Sequence, residues 1–288
     1  RAATKGRPSR VVAFVGTAAA LHDFGVTDQI VGVFGPTKKS DGTPDVQAGS
    51  LDVNKVTIIG NVWGEFNVEK YAALQPELLV THEYEKDALW YVPDESKDKI
   101  VPLAPTVALV ASRKPLDKII ERHGELAAAL GADLTATKVT EAKARFDRAA
   151  ESIRQAVKDN PGLRVLACSA AADLFYASNP GVNADILYYK EELGVDVIVP
   201  DKVDDLGYFE SLSWENADKY PADVLLLDNR SSTLQPKDLT SKPTWTQLPA
   251  VKANQVVGWN SEPIFSYASS AAALEQLATA LRSAKKVV

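Results

Sequence analysis

Short apolar runs with the composition of β-strands alternate with helical patterns along the whole chain, in two successive blocks. The runs of the first block are nearly continuous, which is typical of parallel strands buried on both faces by helices. After residue 160 the same alternation starts again. The sequence therefore predicts two α/β sandwich lobes. The predicted strands are residues 10–16, 30–35, 56–60, 77–82 and 99–104 in the first lobe, and 163–170, 174–178, 195–200, 222–228 and 255–259 in the second.

One long helical pattern separates the two blocks. Residues 135–158 contain no Gly or Pro, and Val139, Phe146 and Ile153 fall on a single apolar face. At a rise of about 1.5 Å per residue, this helix spans about 36 Å. Two lobes also suit the length of the chain, since single cores rarely grow past about 250–300 residues. We predict a flexible tether at 1–10, an N-terminal α/β lobe at 11–134, an interlobe helix at 135–158 and a C-terminal α/β lobe at 159–288.

Composition excludes two classes of protein. No apolar run approaches the roughly 18–20 residues that span a bilayer, so the sequence predicts no membrane span. The net charge is -6 and the basic residues are scattered, so the basic footprint of a nucleic-acid-binding protein is missing. The chain begins at Arg1 and contains no Met, from which we expect that a targeting segment has been removed.

The sequence carries no motif of a known catalytic centre. A P-loop, a GxGxxG after a strand, a GxSxG and an HExxH are all absent. His22, His82 and His123 lie far apart, with His123 on a predicted helix, facing solvent or packed, and His82 at the end of a predicted strand. Cys168 is the single cysteine and is expected to be a small buried apolar residue. We therefore expect neither an enzyme nor a protein-coordinated metal.

Aromatic residues gather after the predicted strands of both lobes. Core aromatics usually lie within strands and helices, so rings in strand-to-helix loops indicate a concave apolar cleft that fits a sizeable small molecule. The alternative is ordinary loop packing. The candidate ligand-binding rings are Trp63, Phe66, Tyr84, Trp90, Tyr176, Tyr208, Phe209, Trp259 and Tyr267, with Tyr91 beside them.

Three charged positions add to this pattern. Arg230 emerges from the end of a predicted strand, where a guanidinium can donate a fork of hydrogen bonds to an oxygen-rich ligand or form a surface ion pair. Glu69 lies in a first helical turn after Asn67, a candidate N-cap, where the helix dipole favours a carboxylate. Glu191 and Glu192 lie in a last turn, where the dipole disfavours negative charge, which indicates a use outside the helix.

Several segments together resemble the class III solute-binding proteins of ABC importers, the group that carries ferric siderophores, haem and cobalamin. The resemblance covers nearly the whole chain. The segments that carry it are RVVAFVGTAAALHDFGVTDQIVGVFG, IGNVWGEFNVEKYAALQPELLVTHE, the long central helix, ILYYKEELG and WTQLPAVKANQVVGWNSEPIFSYASSAAALEQLATAL.

The resemblance implies a bilobal protein with the ligand cleft between lobes that one backbone helix joins. It also implies one exposed glutamate on each lobe that docks with the membrane permease. Those positions match Glu69 in Asn67-Val68-Glu69 and Glu191, three residues before Gly194, although the tandem Glu191-Glu192 leaves open which carboxylate docks. In the same way the resemblance makes Trp63 a wall of the cleft and places Arg230 and Tyr208 near contacts to the chelating groups.

The implied function is capture of a ferric siderophore and its delivery to an ABC permease by an extracytoplasmic protein, either periplasmic or lipid-anchored at the cell surface. We expect a monomer with no cofactor of its own, because the siderophore coordinates the iron. Many aromatics and few cations favour a weakly charged ferric hydroxamate over an anionic catecholate. Cobalamin and haem are the nearest alternatives, and Tyr84, Tyr176 or His82 could be an axial ligand of haem. More distant alternatives are a metallocluster or tetrapyrrole enzyme and a scaffold with a flat protein-binding patch.

Overall fold

The computed structural model describes residues 6–288, which form two compact α/β units. The first consists of residues 6–112, Asp117–Lys143 and Glu262–Ser270. The second consists of Arg113–Leu116, Ala144–Ser261 and Ala271–Val288. Two α/β lobes are therefore confirmed. Two short segments do not follow the predicted limits. Residues 113–116, predicted in the N-terminal lobe, belong to the second unit, and residues 262–270, predicted in the C-terminal lobe, belong to the first.

The first unit is built on a five-stranded parallel sheet in the order β3-β2-β1-β4-β5. The central strand β1 is buried at every residue, as expected for a strand covered by helices on both faces. The strands are β1 (Val11–Phe14), β2 (Ile30–Phe34), β3 (Thr57–Gly60), β4 (Leu78–Glu83) and β5 (Thr106–Val110).

The predicted strand at 99–104 is wrong. Its residues complete a helix, Asp94–Ile100, and then form the short 3-10 helix Val101–Leu103. Pro102 lies in that segment and has no N–H to donate to a sheet ladder. The fifth strand begins only at Thr106.

Helices of the first unit follow the strands closely. The first helix begins at Val15, directly after β1, and Asn67 caps the second by accepting the backbone N–H of Lys70 at 2.8 Å, as predicted. The core under the sheet includes Phe14, Phe34 and Tyr71. The helices are α1 (Val15–Asp23), α2 (Val68–Ala73), α3 (Asp94–Ile100) and α4 (Leu116–Ala129).

The second unit has a mixed six-stranded sheet in the order β11-β10-β6-β7-β9, with β8 also paired to β6. Strands β6, β8, β10 and β11 are parallel, whereas β7 runs antiparallel to both of its neighbours. The strands are β6 (Arg164–Ala170), β7 (Leu174–Ser178), β8 (Asp196–Val197), β9 (Phe209–Ser213), β10 (Val224–Asp228) and β11 (Val256–Trp259).

Two features of this sheet differ from the sequence-based prediction. The strand expected at 195–200 shrinks to the two residues of β8. Strand β9 was not predicted, because its sequence FESLS alternates buried and exposed positions and contains too few apolar residues to form a run.

The long helix is confirmed as α5 (Thr137–Asp159), and it links the two units in the chain. The remaining helices are α6 (Ala184–Glu191), α7 (Pro236–Leu239), α8 (Pro243–Gln247), α9 (Pro249–Lys252) and α10 (Tyr267–Ser283). None of the helices within residues 6–288 combines the length and the apolar character needed to cross a bilayer.

Half of the predicted tether, residues 1–5, lies outside the described residues. Residues that follow are hydrogen-bonded to the first unit: Gln29 Nε2 donates to the Pro8 carbonyl at 2.7 Å, and the Ser9 backbone N–H donates to Glu77 at 2.6 Å. The Arg10 guanidinium pairs with the same Glu77 at 2.9 Å.

A buried histidine pair lies beside the sheet of the first unit. His123 is packed rather than solvent-facing, and it donates its Nδ1–H to the Ile119 carbonyl at 2.9 Å because a carbonyl can only accept. Its Nε2 is then an acceptor, so His82 donates from Nε2 at 3.2 Å. Burial lowers the pKa of His123 to about 4 and, together with the neighbouring His123, holds the pKa of His82 well below its usual value.

We expect the contribution of this histidine pair to the free energy of unfolding to fall as the pH drops from about 6.5 toward 4. The folded protein keeps both imidazoles neutral, whereas an unfolded histidine binds a proton below its ordinary pKa of about 6.5. The stabilisation is complete above that pH, and the shift of His123 to about 4 makes the loss roughly 3 kcal/mol. Chemical denaturation followed by circular dichroism across this pH range measures it. The difference in free energy of unfolding between wild type and His123→Leu isolates this contribution and should shrink by roughly 3 kcal/mol over that range. The corresponding difference for the less buried His22→Gln should change less, and a wild-type–His123→Leu difference that does not depend on pH would contradict the assignment.

Candidate ligand-binding site

Four aromatic side chains of the first unit form one contiguous group at the carboxyl edge of its sheet. We call Trp63, Tyr84, Trp90 and Tyr91 the aromatic cluster. The ring of Trp63 lies edge-on to Trp90 and Tyr91, with centroids 4.9 Å apart in both pairs, and the Tyr84 ring lies 4.6 Å from Trp90. Parallel strands β3 and β4 end just before Trp63 and Tyr84, so both loops emerge at the edge where α/β sheets bind ligands.

Trp63 is the most exposed member of the cluster. Its side chain is 63% exposed, although a large apolar ring on a surface normally finds cover. The rings of Trp90 and Tyr91 support it from beneath, since Tyr91 stacks on the buried Phe14 at 5.4 Å. The exposed indole of Trp63 therefore packs on rings that are themselves in contact with the core.

Trp90 is fixed at its backbone and at its ring. Its backbone N–H donates to the His82 carbonyl at 3.0 Å, and its carbonyl accepts the Thr81 hydroxyl at 2.7 Å. The indole N–H donates to the buried carboxylate of Glu262 at 3.1 Å, which also accepts Gln47 Nε2 at 2.7 Å.

Two predicted ring positions of the first unit lie apart from the aromatic cluster. Phe66 is half-buried, and its ring contacts are with Phe34 at 5.1 Å and Tyr71 at 5.3 Å, which belong to the core side of the sheet. Tyr267, which the linear limits put in the C-terminal lobe, begins α10 and packs on Phe24 at 6.0 Å.

In the second unit, Arg230 is held by a carboxylate that is fully buried. Its Nη2 donates to Asp228 at 2.8 Å and its Nε at 3.1 Å. The hydroxyls of Ser169 and Ser261 each donate to the same carboxylate at 3.0 Å. Because Asp228 is the last residue of β10, this group lies at the carboxyl edge of the parallel part of the sheet. The guanidinium stays 23% exposed, so it is both fixed and accessible.

Tyr176 and Phe209 extend this edge with aromatic surface. Tyr176 lies in β7 opposite Ser169, and its ring is 4.8 Å from that of Phe209, which is 36% exposed. Tyr208 instead stacks under the guanidinium of Arg113 at 5.2 Å. The expectation that the rings lie in strand-to-helix loops is wrong for Tyr176 and Phe209, because both belong to the antiparallel strands.

The loop position predicted for Trp259 is also wrong. This residue ends β11, is 5% exposed and donates its indole N–H to the buried Asp185 at 2.7 Å. Burial raises the pKa of Asp185 to about 6. Cys168, in strand β6, is fully buried as predicted, and burial followed by the charge of Asp228 raises the pKa of its thiol.

The two glutamates expected to dock with a permease are exposed at helix ends. Glu69 lies in the first turn of α2 and Glu191 is the last residue of α6. Within residues 6–288 neither side chain forms an ion pair or a hydrogen bond. Glu192 is the C-cap of the same helix, and its backbone carbonyl accepts Arg154 Nε at 3.2 Å.

A family model described as periplasmic binding protein matches residues 11–263 of the chain. The chain belongs to the periplasmic binding protein family. The family expected from the sequence is thereby confirmed. Among curated proteins none matches the chain.

Solved structures include a relative of high similarity. DesE of Streptomyces coelicolor, described as a ferric-siderophore receptor protein, is 52% identical, with 99% of this chain and 96% of that chain covered and a TM-score of 0.95. The petrobactin-binding protein YclQ of Bacillus subtilis is 18% identical, with 97% and 93% covered and a TM-score of 0.70. The catecholate-siderophore binding protein VctP of Vibrio cholerae is 15% identical, with 96% and 94% covered and a TM-score of 0.65. The last two establish the fold alone.

Sequence reasoning missed the two carboxylates that hold candidate binding residues of this periplasmic binding protein, Glu262 in the first unit and Asp228 in the second. The sequence could have indicated Asp228, because this acid ends the apolar run VLLLD. It lies two residues before Arg230, close enough in the chain to pair with it. Glu262 had no such signal, because its partners Gln47 and Trp90 are more than a hundred residues away. Within residues 6–288 no group of three or more His, Cys, Asp or Glu is arranged to hold a metal ion.

Arg230→Ala is expected to lower the free energy of unfolding by about 2–3 kcal/mol, because it leaves the Asp228 charge buried with only uncharged donors. The double variant Arg230→Ala/Asp228→Asn should recover at least about 1 kcal/mol, since the amide oxygen still accepts the serine hydroxyls and no charge remains. Denaturant unfolding at neutral pH measures both. Arg154→Ala, which removes an ion pair of a 39% exposed guanidinium and its exposed hydrogen bond to the Glu192 carbonyl, is the control and should cost under about 1 kcal/mol. A double variant less stable than the single one would rule out this account.

Proposed function

We propose that this periplasmic binding protein captures a ferric siderophore of hydroxamate type and delivers it to an ABC importer. The observation that carries the proposal is the exposed indole of Trp63 on its base of Trp90 and Tyr91. The similarity to DesE, a ferric-siderophore receptor protein with 52% identity over 99% of this chain, supports it. The iron is part of the substrate, and the siderophore supplies its ligands.

The aromatic cluster suits a large, partly apolar chelate. Aromatic rings give broad contact surface at a low cost in conformational entropy, because few torsions need to be fixed. Trp63 offers its ring to solvent, while its contacts with Trp90 and Tyr91 keep it from turning away. In the second unit we propose Tyr176, Tyr208, Phe209 and Arg230 as further ligand contacts. Three other predicted rings are buried or face the core, so we propose that they only pack behind the ligand contacts: Phe66, Trp259 and Tyr267.

Charge supports a hydroxamate rather than a catecholate ligand. Arg230 donates to Asp228 through two of its nitrogens, so the pair has no net charge to offer. A highly anionic catecholate complex would need several unneutralised cations to offset the cost of removing its charge from water. A weakly charged hydroxamate needs only hydrogen-bond donors and apolar surface, and a fixed guanidinium supplies donors.

The haem alternative loses one of its three axial-ligand candidates. His82 is 1% exposed and uses Nε2 in its hydrogen bond to His123. Tyr84 packs against Trp90 and His82. Coordination of haem iron would require the first of these side chains to leave the core of the unit.

Delivery is proposed to use Glu69 and Glu191 as contacts for arginines of the permease. Both carboxylates are exposed, and neither is engaged within its own unit. A carboxylate at the C-terminal end of α6 opposes the helix dipole, so it is retained at a small cost in stability that a docking role explains. The protein would act as a monomer outside the cytoplasm, in the periplasm or anchored at the cell surface.

Titration with ferric hydroxamates of the ferrioxamine and ferrichrome types should quench tryptophan fluorescence, because Trp63 and Trp90 lie in the proposed contact surface. Trp63→Ala should weaken binding roughly 10- to 30-fold, the scale of an aromatic anchor, and Trp63→Phe should lose less. Binding is measured by the quench and, independently of fluorescence, by calorimetry.

Trp214→Phe is the control, since that ring packs against Phe175 and Lys242 instead. It should keep both the affinity and most of the quench. A folded protein that binds no ferric hydroxamate, or that prefers cobalamin, haemin or a ferric catecholate, would refute the proposed ligand class.

Glu69→Ala and Glu191→Ala should leave the affinity for the ferric siderophore unchanged and abolish uptake of radioactive iron, because docking and capture use different side chains. Glu95→Ala, in the first turn of α3, is the matched exposed control and should transport normally. Glu192→Ala tests which of the two adjacent carboxylates docks. A large loss of ligand affinity in either docking variant would disprove the separation of roles.

A further inference from the structure

Glu262 is a buried carboxylate that reaches the first unit from a distant part of the chain. It follows β11 and begins the segment Glu262–Ser270, which belongs to the first unit. Ser266 and Ser269 fix the segment there by donating to Asp23 at 2.5 and 2.8 Å. Glu262 itself is buried, with 7% of its surface exposed.

Two donors to Glu262 converge on one oxygen. Gln47 Nε2 donates to Oε2 at 2.7 Å and the indole N–H of Trp90 donates to the same atom at 3.1 Å. Gln47 is fully buried, and Asp45 accepts its backbone N–H at 3.1 Å. The carboxylate that accepts the indole N–H is thus itself held by Gln47, which Asp45 holds in turn.

The indole N–H is the single polar atom of the Trp90 ring, so its hydrogen bond sets the rotation of that ring. Backbone bonds to His82 and Thr81 fix where the residue lies, but they leave the side-chain torsions free. The Trp90 ring in turn contacts Trp63 at 4.9 Å and Tyr84 at 4.6 Å. A rotation of Trp90 would therefore move the support of the exposed ring.

We propose that Glu262 is a positioning residue for ligand binding: through Oε2 it holds the plane of the Trp90 indole, and so pre-organises Trp63 for contact with the ligand. The proposal deepens the proposed function and rests on it for the ligand. Pre-organisation raises affinity because less side-chain freedom is lost on binding. A buried charge with two converging donors is then used for orientation rather than for stability.

The test compares Glu262→Gln with Glu262→Ala. The amide oxygen of glutamine can replace Oε2 and accept both donors, so Glu262→Gln should bind ferric hydroxamate within about twofold of wild type. Glu262→Ala removes the acceptor and should bind roughly 5- to 20-fold more weakly. Thermal unfolding and circular dichroism of each variant establish that the comparison is made between folded proteins.

Trp90→Phe separates positioning from general packing, because it keeps a ring and lacks the N–H. In that background Glu262→Ala should cost less than about twofold, since there is no indole bond left to lose. An equal loss of affinity with and without the Trp90 indole would overturn the proposal, and so would a folded Glu262→Ala variant with wild-type affinity.

A readout without ligand distinguishes failure of this proposal from failure of the proposed function. Hydrogen exchange of the Trp90 indole N–H, followed by nitrogen-15 NMR, should be at least tenfold faster in Glu262→Ala and near wild type in Glu262→Gln. Unchanged exchange in Glu262→Ala would disprove positioning whatever the ligand. If this exchange is faster in Glu262→Ala but the wild-type protein binds no ferric siderophore, the ligand assignment is refuted, whereas the role of Glu262 in positioning Trp90 is supported.

Discussion

A charge can be buried only where donors replace the water it has lost, and this constraint shapes the candidate binding residues of each unit. In the first unit the carboxylate is Glu262, which accepts from Gln47 and Trp90. In the second it is Asp228, which accepts from Arg230 and two serine hydroxyls. In each case one of the donors is a side chain that we propose as a ligand contact. The side chains proposed to meet the ligand are therefore oriented by groups that the ligand does not need to touch.

Much of the fold could be predicted because parallel strands have a strong local signature. Four of five strands of the first sheet and the helix Thr137–Asp159 follow from apolar runs and helical periodicity. The segment at 99–104 failed because an apolar run that contains a proline can end a helix as well as form a strand. Strand β9 was not predicted for the opposite reason: an antiparallel edge strand alternates buried and exposed residues and so lacks a continuous apolar run.

The site was less predictable than the fold. Position after a strand indicated that Trp63, Tyr84 and Trp90 would lie at one sheet edge, and they contact one another there. The same criterion cannot tell a ring that faces solvent from one that turns inward, which is why Trp259 was misplaced. Glu262 was beyond reach, because its role depends on the return of Glu262–Ser270 to the first unit, a tertiary event without local pattern.

The environment of Cys168 makes this chain a convenient host for chemical probes. The thiol is fully buried in β6 and its pKa is raised, so very little reactive thiolate is present at neutral pH. The sequence has no second cysteine that would need to be removed. A cysteine introduced at an exposed position would consequently be the preferred target of maleimide dyes or spin labels, which opens distance measurements on the otherwise unaltered molecule.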